Sequence, residues 1–78
     1  MKVTIGYAYA SSLMAKALGC GENGCFYVVK IDDNGRELFD SAESFAHWFD
    51  ANEYATSTAL PFDRYSMPDP AAKLSPQH

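Results

Sequence analysis

An Asn34-Gly35 dipeptide, flanked on both sides by β-branched and aromatic residues, limits most strongly what this chain can fold into. Residues 26–32 precede the turn and residues 36–39 resume the apolar pattern after it. Asparagine and glycine both tolerate the positive φ that the two central residues of a type I′ turn require, so this pair is the strongest short signal for a β-hairpin. The sequence therefore predicts two antiparallel strands joined at this turn.

The same turn predicts which residues of the hairpin face each other. With Asn34 and Gly35 at its centre, the register pairs Asp33 with Arg36, Asp32 with Glu37, Ile31 with Leu38 and Lys30 with Phe39. Because side chains alternate between the faces of a sheet, one face receives Val29, Ile31 and Leu38, and the other receives Lys30, Asp32, Glu37 and Phe39. We expect the first of these faces to lie against the core.

A strand and a short helix are predicted before the hairpin. Residues 2–9 alternate between larger apolar side chains and small or polar ones, which is the period-two pattern of a half-buried strand. Ser11 or Ser12 can cap a helix that ends at Gly19, a residue type favoured just after a helix. The apolar residues between them recur at helical spacing: Leu13, Met14, Ala17 and Leu18. Three glycines in residues 19–24 then predict a loop.

A second helix is predicted directly after the hairpin, starting at Asp40 or Ser41. With Asp40 as the N-cap, Glu43 occupies the position from which a carboxylate reaches back to the N-cap amide in a capping box. An apolar stripe follows at spacings of three and four residues, formed by Ala42, Phe45, Ala46 and Phe49, with Trp48 beside it. We therefore expect the core to contain Phe45, Trp48 and Phe49.

The last third of the chain predicts little regular structure. Residues 54–60 are rich in threonine, alanine and tyrosine, which suits a last edge strand before Pro61. Prolines at 61, 68, 70 and 76 remove backbone donors and oppose helix formation. We expect a single domain of residues 1–65 followed by an extended or disordered tail of residues 66–78.

The predicted order of elements is βαββα, with the optional last strand after it. This is the order of an α+β domain of the split-βαβ, ferredoxin-like kind, in which two helices cover one face of a small antiparallel sheet. A three-stranded variant, with the tail wrapped across the sheet edge, is the alternative.

Composition restricts the class of function. The 78 residues are 47% hydrophobic yet contain no long uncharged run, which predicts one soluble domain and no membrane span. Ten acidic and six basic residues give a net charge of −4, the wrong sign for direct binding to a phosphate backbone. The first residues lack the pattern of a secretory signal, so we expect a cytoplasmic protein.

The two cysteines offer one alternative class, a small metal or redox module. Cys20 and Cys25 are separated by four residues, and a closed zinc site needs four ligands, for which only His47 and His78 remain as borderline donors. A Cys-x-x-Cys motif at a helix N-terminus, which would lower a thiol pKa, is absent from the sequence. In a reducing cytosol we expect both cysteines to be thiols that fill small apolar spaces, with no cofactor or metal bound.

No pattern of residues predicts catalysis. Glu43, His47 and Asp50 share one face of the predicted second helix, but a catalytic base needs a nucleophile and a pocket, and neither is evident. The glycines of residues 19–24 lack the lysine and hydroxyl residue of a phosphate-binding loop. We therefore expect a protein that is not an enzyme.

Two sets of residues are candidates for binding a partner. Asp32, Asp33 and Glu37 concentrate negative charge at the hairpin end, where like charges across a strand pair cost stability. They form either a solubilising edge or a contact surface for a basic protein. The second set is aromatic: Tyr7, Tyr9, Phe26 and Tyr27 could form a platform for stacking bases, but without flanking arginines core packing or protein binding is favoured.

One resemblance to a known family is carried by eleven residues, Phe39-Asp40-Ser41-Ala42-Glu43-Ser44-Phe45-Ala46-His47-Trp48-Phe49. This stretch resembles a segment of a small type I anti-CRISPR protein, with the pattern Phe-Asp-Ser-x-Glu-x-apolar-x-x-Trp-Phe after a strand. The resemblance implies a compact, cofactor-free phage inhibitor that blocks a bacterial CRISPR surveillance complex by binding one of its protein subunits.

The charge of the chain and this resemblance lead to a hypothesis of inhibition by binding. We expect a protein of the anti-CRISPR type that stops target DNA binding by a type I surveillance complex, with a basic nucleic-acid-binding subunit as its partner. An accessory binding domain of phage or plasmid origin is the other alternative beside the metal or redox module.

Overall fold

The computed structural model describes residues 1–70 and consists of a three-stranded antiparallel sheet with two helices. The elements in chain order are β1 (Lys2–Ala8), α1 (Leu13–Ala17), β2 (Cys25–Ile31), β3 (Glu37–Phe45) and α2 (Trp48–Ser57). The predicted α+β class and the order βαββα are confirmed. The start of α1 is also as predicted, because the Ser12 hydroxyl accepts a hydrogen bond from the Ala15 amide at 3.0 Å.

The arrangement of the strands in space differs from the ferredoxin-like prediction. The sheet order is β1-β2-β3, and β1 pairs directly with β2 in antiparallel register. A split βαβ unit instead has its first two strands parallel and separated by another strand. A turn and the five-residue helix α1 connect β1 to β2, so these strands form an antiparallel pair with a long connection.

The hairpin between β2 and β3 forms, but its register is one residue away from the prediction. Lys30 pairs with Leu38 and Ile31 with Glu37, so Asp32 and Glu37 do not face each other. The cause lies in the turn, where the Asp32 amide donates to the Arg36 carbonyl and Gly35 alone of the central pair has positive φ, at 82°. This is a three-residue loop ending in a left-handed glycine.

The core lies on both faces of the sheet, and each helix covers a different face. On the first face α2 packs against β1 and β2, giving a cluster of buried residues formed by Val3, Ile5, Val28, Ala51 and Ala55. On the second face α1 contributes Ala15 to a smaller cluster with Ala8 and Cys25, which are register partners. The prediction that both helices cover one face was therefore wrong. Val29 and Ile31 share the second face, whereas Leu38 lies with Lys30 on the first.

The predicted second helix starts seven residues too early, with its N-cap at Asp40 instead of His47. Strand β3 continues through Phe45, and α2 begins after His47, which caps it without a side-chain hydrogen bond. The capping box of Asp40 and Glu43 is therefore not formed. A bulge interrupts β3 between the pairs Lys30–Leu38 and Val28–Glu43. Here four residues of β3, 39–42, stand opposite the single residue Val29 of β2.

The later boundary changes the expected core. Phe45 and Trp48 still pack against the first-face cluster, but Phe49 is 72% exposed. Residues 54–60 were predicted as an edge strand and instead contain the last turn of α2 and the residues that follow it.

A segment after α2, residues 61–67, runs beside β1 and is called here the strap. Its backbone bonds connect the Pro61 carbonyl to the Val3 amide, the Asp63 amide to the Val3 carbonyl, and the Met67 amide to the Ile5 carbonyl. The Ser66 hydroxyl also accepts from the Ile5 amide at 2.9 Å. Contacts with the core thus continue through Met67, two residues beyond the predicted domain end. Residues 71–78 of the predicted tail lie outside the described residues.

Candidate binding site: an aromatic groove beside a disulfide loop

The six residues predicted to contact a partner separate into two groups at opposite ends of the sheet. Asp32, Asp33 and Glu37 lie at the hairpin end, next to the pair Lys2–Ile31. The aromatic group lies near the pair Ala8–Cys25, six residues further along β1. With a rise of about 3.3 Å per residue, the two ends are about 20 Å apart. One compact site cannot contain both groups.

At the hairpin end, two of the three carboxylates are engaged within the fold. The Asp32 carboxylate accepts from the amides of Asn34 and Arg36, each at 2.9 Å, and thereby holds the turn. Asp33 accepts from the N-terminal amine of Met1 at 2.6 Å. This hydrogen bond, assisted by the attraction between the charges, lowers the pKa of the Asp33 carboxyl.

Glu37 is exposed, and its charge changes the pKa of Tyr27 on the second face of the sheet. Burial raises the pKa of Tyr27, and the negative charge of Glu37 raises it further. Tyr27 pairs with Gly6 and lies 6.1 Å from the Phe39 ring, centroid to centroid. Tyr27 is thus on the opposite face from Tyr7, and the predicted four-residue stacking platform does not form.

The other three aromatic residues form a continuous cluster at the far end of the first face. Tyr7 and Phe26 are register partners, and their ring centroids are 4.9 Å apart in an edge-to-face contact. The Tyr9 ring makes a second edge contact with Tyr7 at 5.2 Å. Tyr9 is 71% exposed, so this cluster presents a large aromatic surface to solvent.

An open groove with a volume of about 460 Å³ lies beside this cluster and is called here the aromatic groove. Tyr7 and Phe26 form its floor on the sheet, and Asn23 and Gly24 line it from the loop before β2. The remaining lining residues come from the β3–α2 connection and from the end of the strap: Ala46, Met67 and Pro70. Met67 is fixed in place because its carbonyl accepts from the Trp48 indole at 3.0 Å.

The loop that lines the groove is closed by a disulfide between Cys20 and Cys25. The expectation of two free thiols was therefore wrong, and both cysteines of the chain are used in this bond. The Cys20 carbonyl accepts from the amides of Asn23 and Gly24 at 3.1 and 3.0 Å, which folds the loop back on itself. We call residues 20–25 the disulfide loop.

Gly24 lets the disulfide loop approach the aromatic cluster closely. Its φ is +72°, and a Cβ at this position would lie 2.7 Å from the Tyr7 hydroxyl and 2.8 Å from the Ala8 carbonyl oxygen. Any other residue would be strained in its backbone and would collide with β1. The glycine is thus needed for the wall of the groove as it stands.

The two aromatic residues on the floor of the groove, Tyr7 and Phe26, were predictable from their positions on predicted strands, as was their neighbour Tyr9. The walls of the groove were not predicted. The positive-φ glycine pattern and the paired cysteines were the available signals for Asn23 and Gly24. For Ala46, Met67 and Pro70 no local signal exists, because the groove brings them together only through the packing of α2 and the strap.

Two arrangements considered from the sequence, a metal site and an acid–base cluster on one helix, are not formed by the described residues. Within residues 1–70, no group of three or more histidine, cysteine, aspartate or glutamate residues is placed to hold a metal ion. His47, Glu43 and Asp50 do not share a helix face, because Glu43 lies in β3 and His47 precedes α2. None of the described helices is both long and apolar enough to cross a bilayer.

No protein-family model, curated protein or solved structure matches this chain.

Proposed function

We propose that this chain is an inhibitory protein-binding module whose contact surface is the aromatic groove. The observation that carries the proposal is the edge-to-face cluster of Tyr9, Tyr7 and Phe26 along an open groove. Tyrosine and phenylalanine are enriched where proteins bind one another, because each supplies a large rigid surface with few rotatable bonds. An exposed tyrosine supported by two further rings is prepared to enter a partner's pocket with little loss of side-chain entropy.

Charge around the groove indicates the kind of partner. The exposed Glu22 lies in the disulfide loop beside Asn23, which lines the groove. With the net charge of −4, this carboxylate favours a basic protein surface and repels nucleic acid. Asp33 and Glu37 act at a distance of about 20 Å, where they accelerate encounter without forming the central contact.

The specific form of the proposal is inhibition of the anti-CRISPR type. The module occupies a basic nucleic-acid-binding subunit of a type I CRISPR surveillance complex and prevents target DNA from binding there. The resemblance over residues 39–49 and the acidic balance of the chain support this partner, because such complexes hold nucleic acid in positively charged channels. The structure changes the physical reading of that stretch, whose first seven residues are strand rather than helix.

A DNA-binding assay tests the proposal. Purified type I surveillance complexes are titrated with the parent protein and with Tyr9→Ser, and binding of labelled target DNA is measured by electrophoretic mobility shift. We expect the parent to block DNA binding and Tyr9→Ser to require at least tenfold more protein, the loss typical of an interface anchor.

Tyr65→Ser is the matched control. Tyr65 is 76% exposed, close to the 71% of Tyr9. Its ring lies under Arg64 in the strap, whereas the Tyr9 ring contacts Tyr7, which lines the groove. Replacement of Tyr65 should leave inhibition unchanged. Equal effects of the two serine variants would place the contact elsewhere, and no inhibition by the parent at any subtype would exclude the anti-CRISPR form of the proposal.

A further inference from the structure

We propose that the Cys20–Cys25 disulfide is a site of thiol–disulfide exchange and that its reduction opens the aromatic groove. This inference rests on the proposed function of the groove, whose binding it would regulate. The co-substrate is a dithiol, either a small molecule or a protein of the dithiol class.

The disulfide loop is a wall of the groove, and the disulfide joins its two ends. Asn23 and Gly24 line the groove, and both of their amides donate to the Cys20 carbonyl. The disulfide therefore fixes the residue on which both hydrogen bonds depend. Two of the four residues between the cysteines are glycines, so the loop has little conformational preference of its own once the bond is broken.

The disulfide loop also supports the turn that carries Tyr9. The Ser11 amide donates to the Gly21 carbonyl, and the Ser12 amide donates to the Tyr9 carbonyl. Ser11 has a φ of 66°, a conformation that a serine keeps only where its surroundings hold it. A loosened loop thus releases the exposed anchor as well as the groove wall.

The two cysteines differ in burial, and this difference decides which sulfur a thiolate attacks. Cys25 is 4% exposed and packs with Ala8 and Ala15, whereas Cys20 is partly exposed at the end of α1. A thiolate of the dithiol attacks Sγ of Cys20, the Sγ–Sγ bond breaks, and Cys25 leaves as a thiolate that takes a proton. The second thiol then attacks the mixed disulfide and releases Cys20, so the dithiol is oxidised and the protein disulfide reduced by two electrons.

Reduction leaves the rest of the fold in place. The Cys25 thiol stays in its buried position in β2, and the first-face cluster under α2 contains no atom of the disulfide loop. The consequence is local opening at one end of the sheet, without loss of the strands.

Amide hydrogen exchange of the isolated protein tests the coupling without any partner. Exchange is followed by NMR in the oxidised state and in dithiothreitol, which serves as the dithiol. We expect the amides of Ser11, Asn23 and Gly24 to exchange at least tenfold faster after reduction. The amides of Asp32 and Gly35 bond within the hairpin turn at the other end of the sheet and should not change. Rates for the first three that stay within twofold would overturn the inference.

A variant separates loss of the bond from other effects of the reductant. Cys20→Ala/Cys25→Ala keeps a small apolar side chain in the buried site and should show the fast exchange with and without dithiothreitol. Slow exchange in this variant would show that hydrogen bonds alone hold the loop, which contradicts the proposal.

Binding to purified type I complexes, in both redox states, gives the second readout. We expect reduction to weaken binding at least tenfold. Fast amide exchange together with unchanged binding would refute regulation of the groove, although the disulfide would still be a site of thiol–disulfide exchange. Absence of binding in the oxidised state would count against the proposed function alone.

Discussion

At the scale of single residues, the Tyr27 side chain lies in close contact with Gly6 on the second face of the sheet. The two are register partners, and a Cβ on Gly6 would lie 2.4 Å from Cζ of the Tyr27 ring. The hydroxyl end of the Tyr27 ring therefore lies over the glycine, and partial burial of this side chain raises the pKa of Tyr27.

Replacing Gly6 with alanine should displace the tyrosine ring. We expect Gly6→Ala to lower the free energy of unfolding by about 1–3 kcal/mol, the usual cost of overpacking. Gly21→Ala is the control, because a Cβ there would meet Lys16 at ordinary contact distances, 3.5 Å from its Cγ and 3.9 Å from its Cα. Chemical denaturation measures both variants, and equal stability of the two would contradict the close contact at Gly6.

The raised pKa of Tyr27 predicts a change of stability at alkaline pH. The folded state holds the proton of Tyr27 more tightly than the unfolded state, whose tyrosine pKa is about 10. Stability from this group is therefore complete below about pH 10 and is lost as pH rises from there through the folded pKa. We expect Tyr27→Phe to remove this part of the loss in alkaline denaturation curves and Tyr65→Phe to keep it. Parallel curves for Tyr27→Phe and the parent would contradict the shift.

At the scale of elements, the sequence was informative where local signals agreed with tertiary packing. The alternation in β1 and the serine cap of α1 were sufficient to predict both elements. The hairpin was predicted, but its register depends on a side chain. The Asp32 carboxylate accepts from two amides of the turn, which favours a three-residue loop over the two-residue loop that was predicted.

The error at α2 has a different origin. Residues 40–43 satisfy a helical capping pattern, yet residues 43–45 pair with residues 26–28 of β2, and this long-range pairing outweighs a local cap. The true helix carries Trp48, Ala51 and Ala55 at spacings of three and four, a stripe whose small alanines let α2 approach the sheet. An apolar stripe built on alanine is a weak signal in a single sequence.

The new boundary of α2 predicts opposite outcomes for two adjacent aromatic residues. Trp48 packs on the core and donates to the Met67 carbonyl, so Trp48→Ala should cost about 3 kcal/mol, at the low end for a large aromatic residue. Phe49 is 72% exposed, and Phe49→Ala should stay within about 0.5 kcal/mol of the parent, as surface changes usually do. Urea denaturation measures both free energies of unfolding. A larger loss of stability for Phe49→Ala than for Trp48→Ala would contradict the placement of this helix.

At the scale of the whole molecule, the chain has two chemically different ends joined by β1 and β2. The hairpin end holds two carboxylates, Asp32 and Asp33, in turn and terminal contacts, and the disulfide end exposes aromatic rings beside a groove. Tyr7, Tyr9 and Phe26 were predictable as candidates from sequence. The groove beside them was not, because it depends on contacts between distant segments.

The most direct test of the account measures the dissociation rate of the parent and two variants from a purified type I surveillance complex by surface plasmon resonance. Tyr9→Ser should raise the dissociation rate at least tenfold, because it removes an anchor from the contact. Asp33→Asn/Glu37→Gln, which leaves the turn-holding Asp32 intact, should slow association and leave dissociation unchanged. A Tyr9→Ser dissociation rate within twofold of the parent, with faster dissociation of the hairpin variant, would contradict the assignment of binding to the aromatic groove.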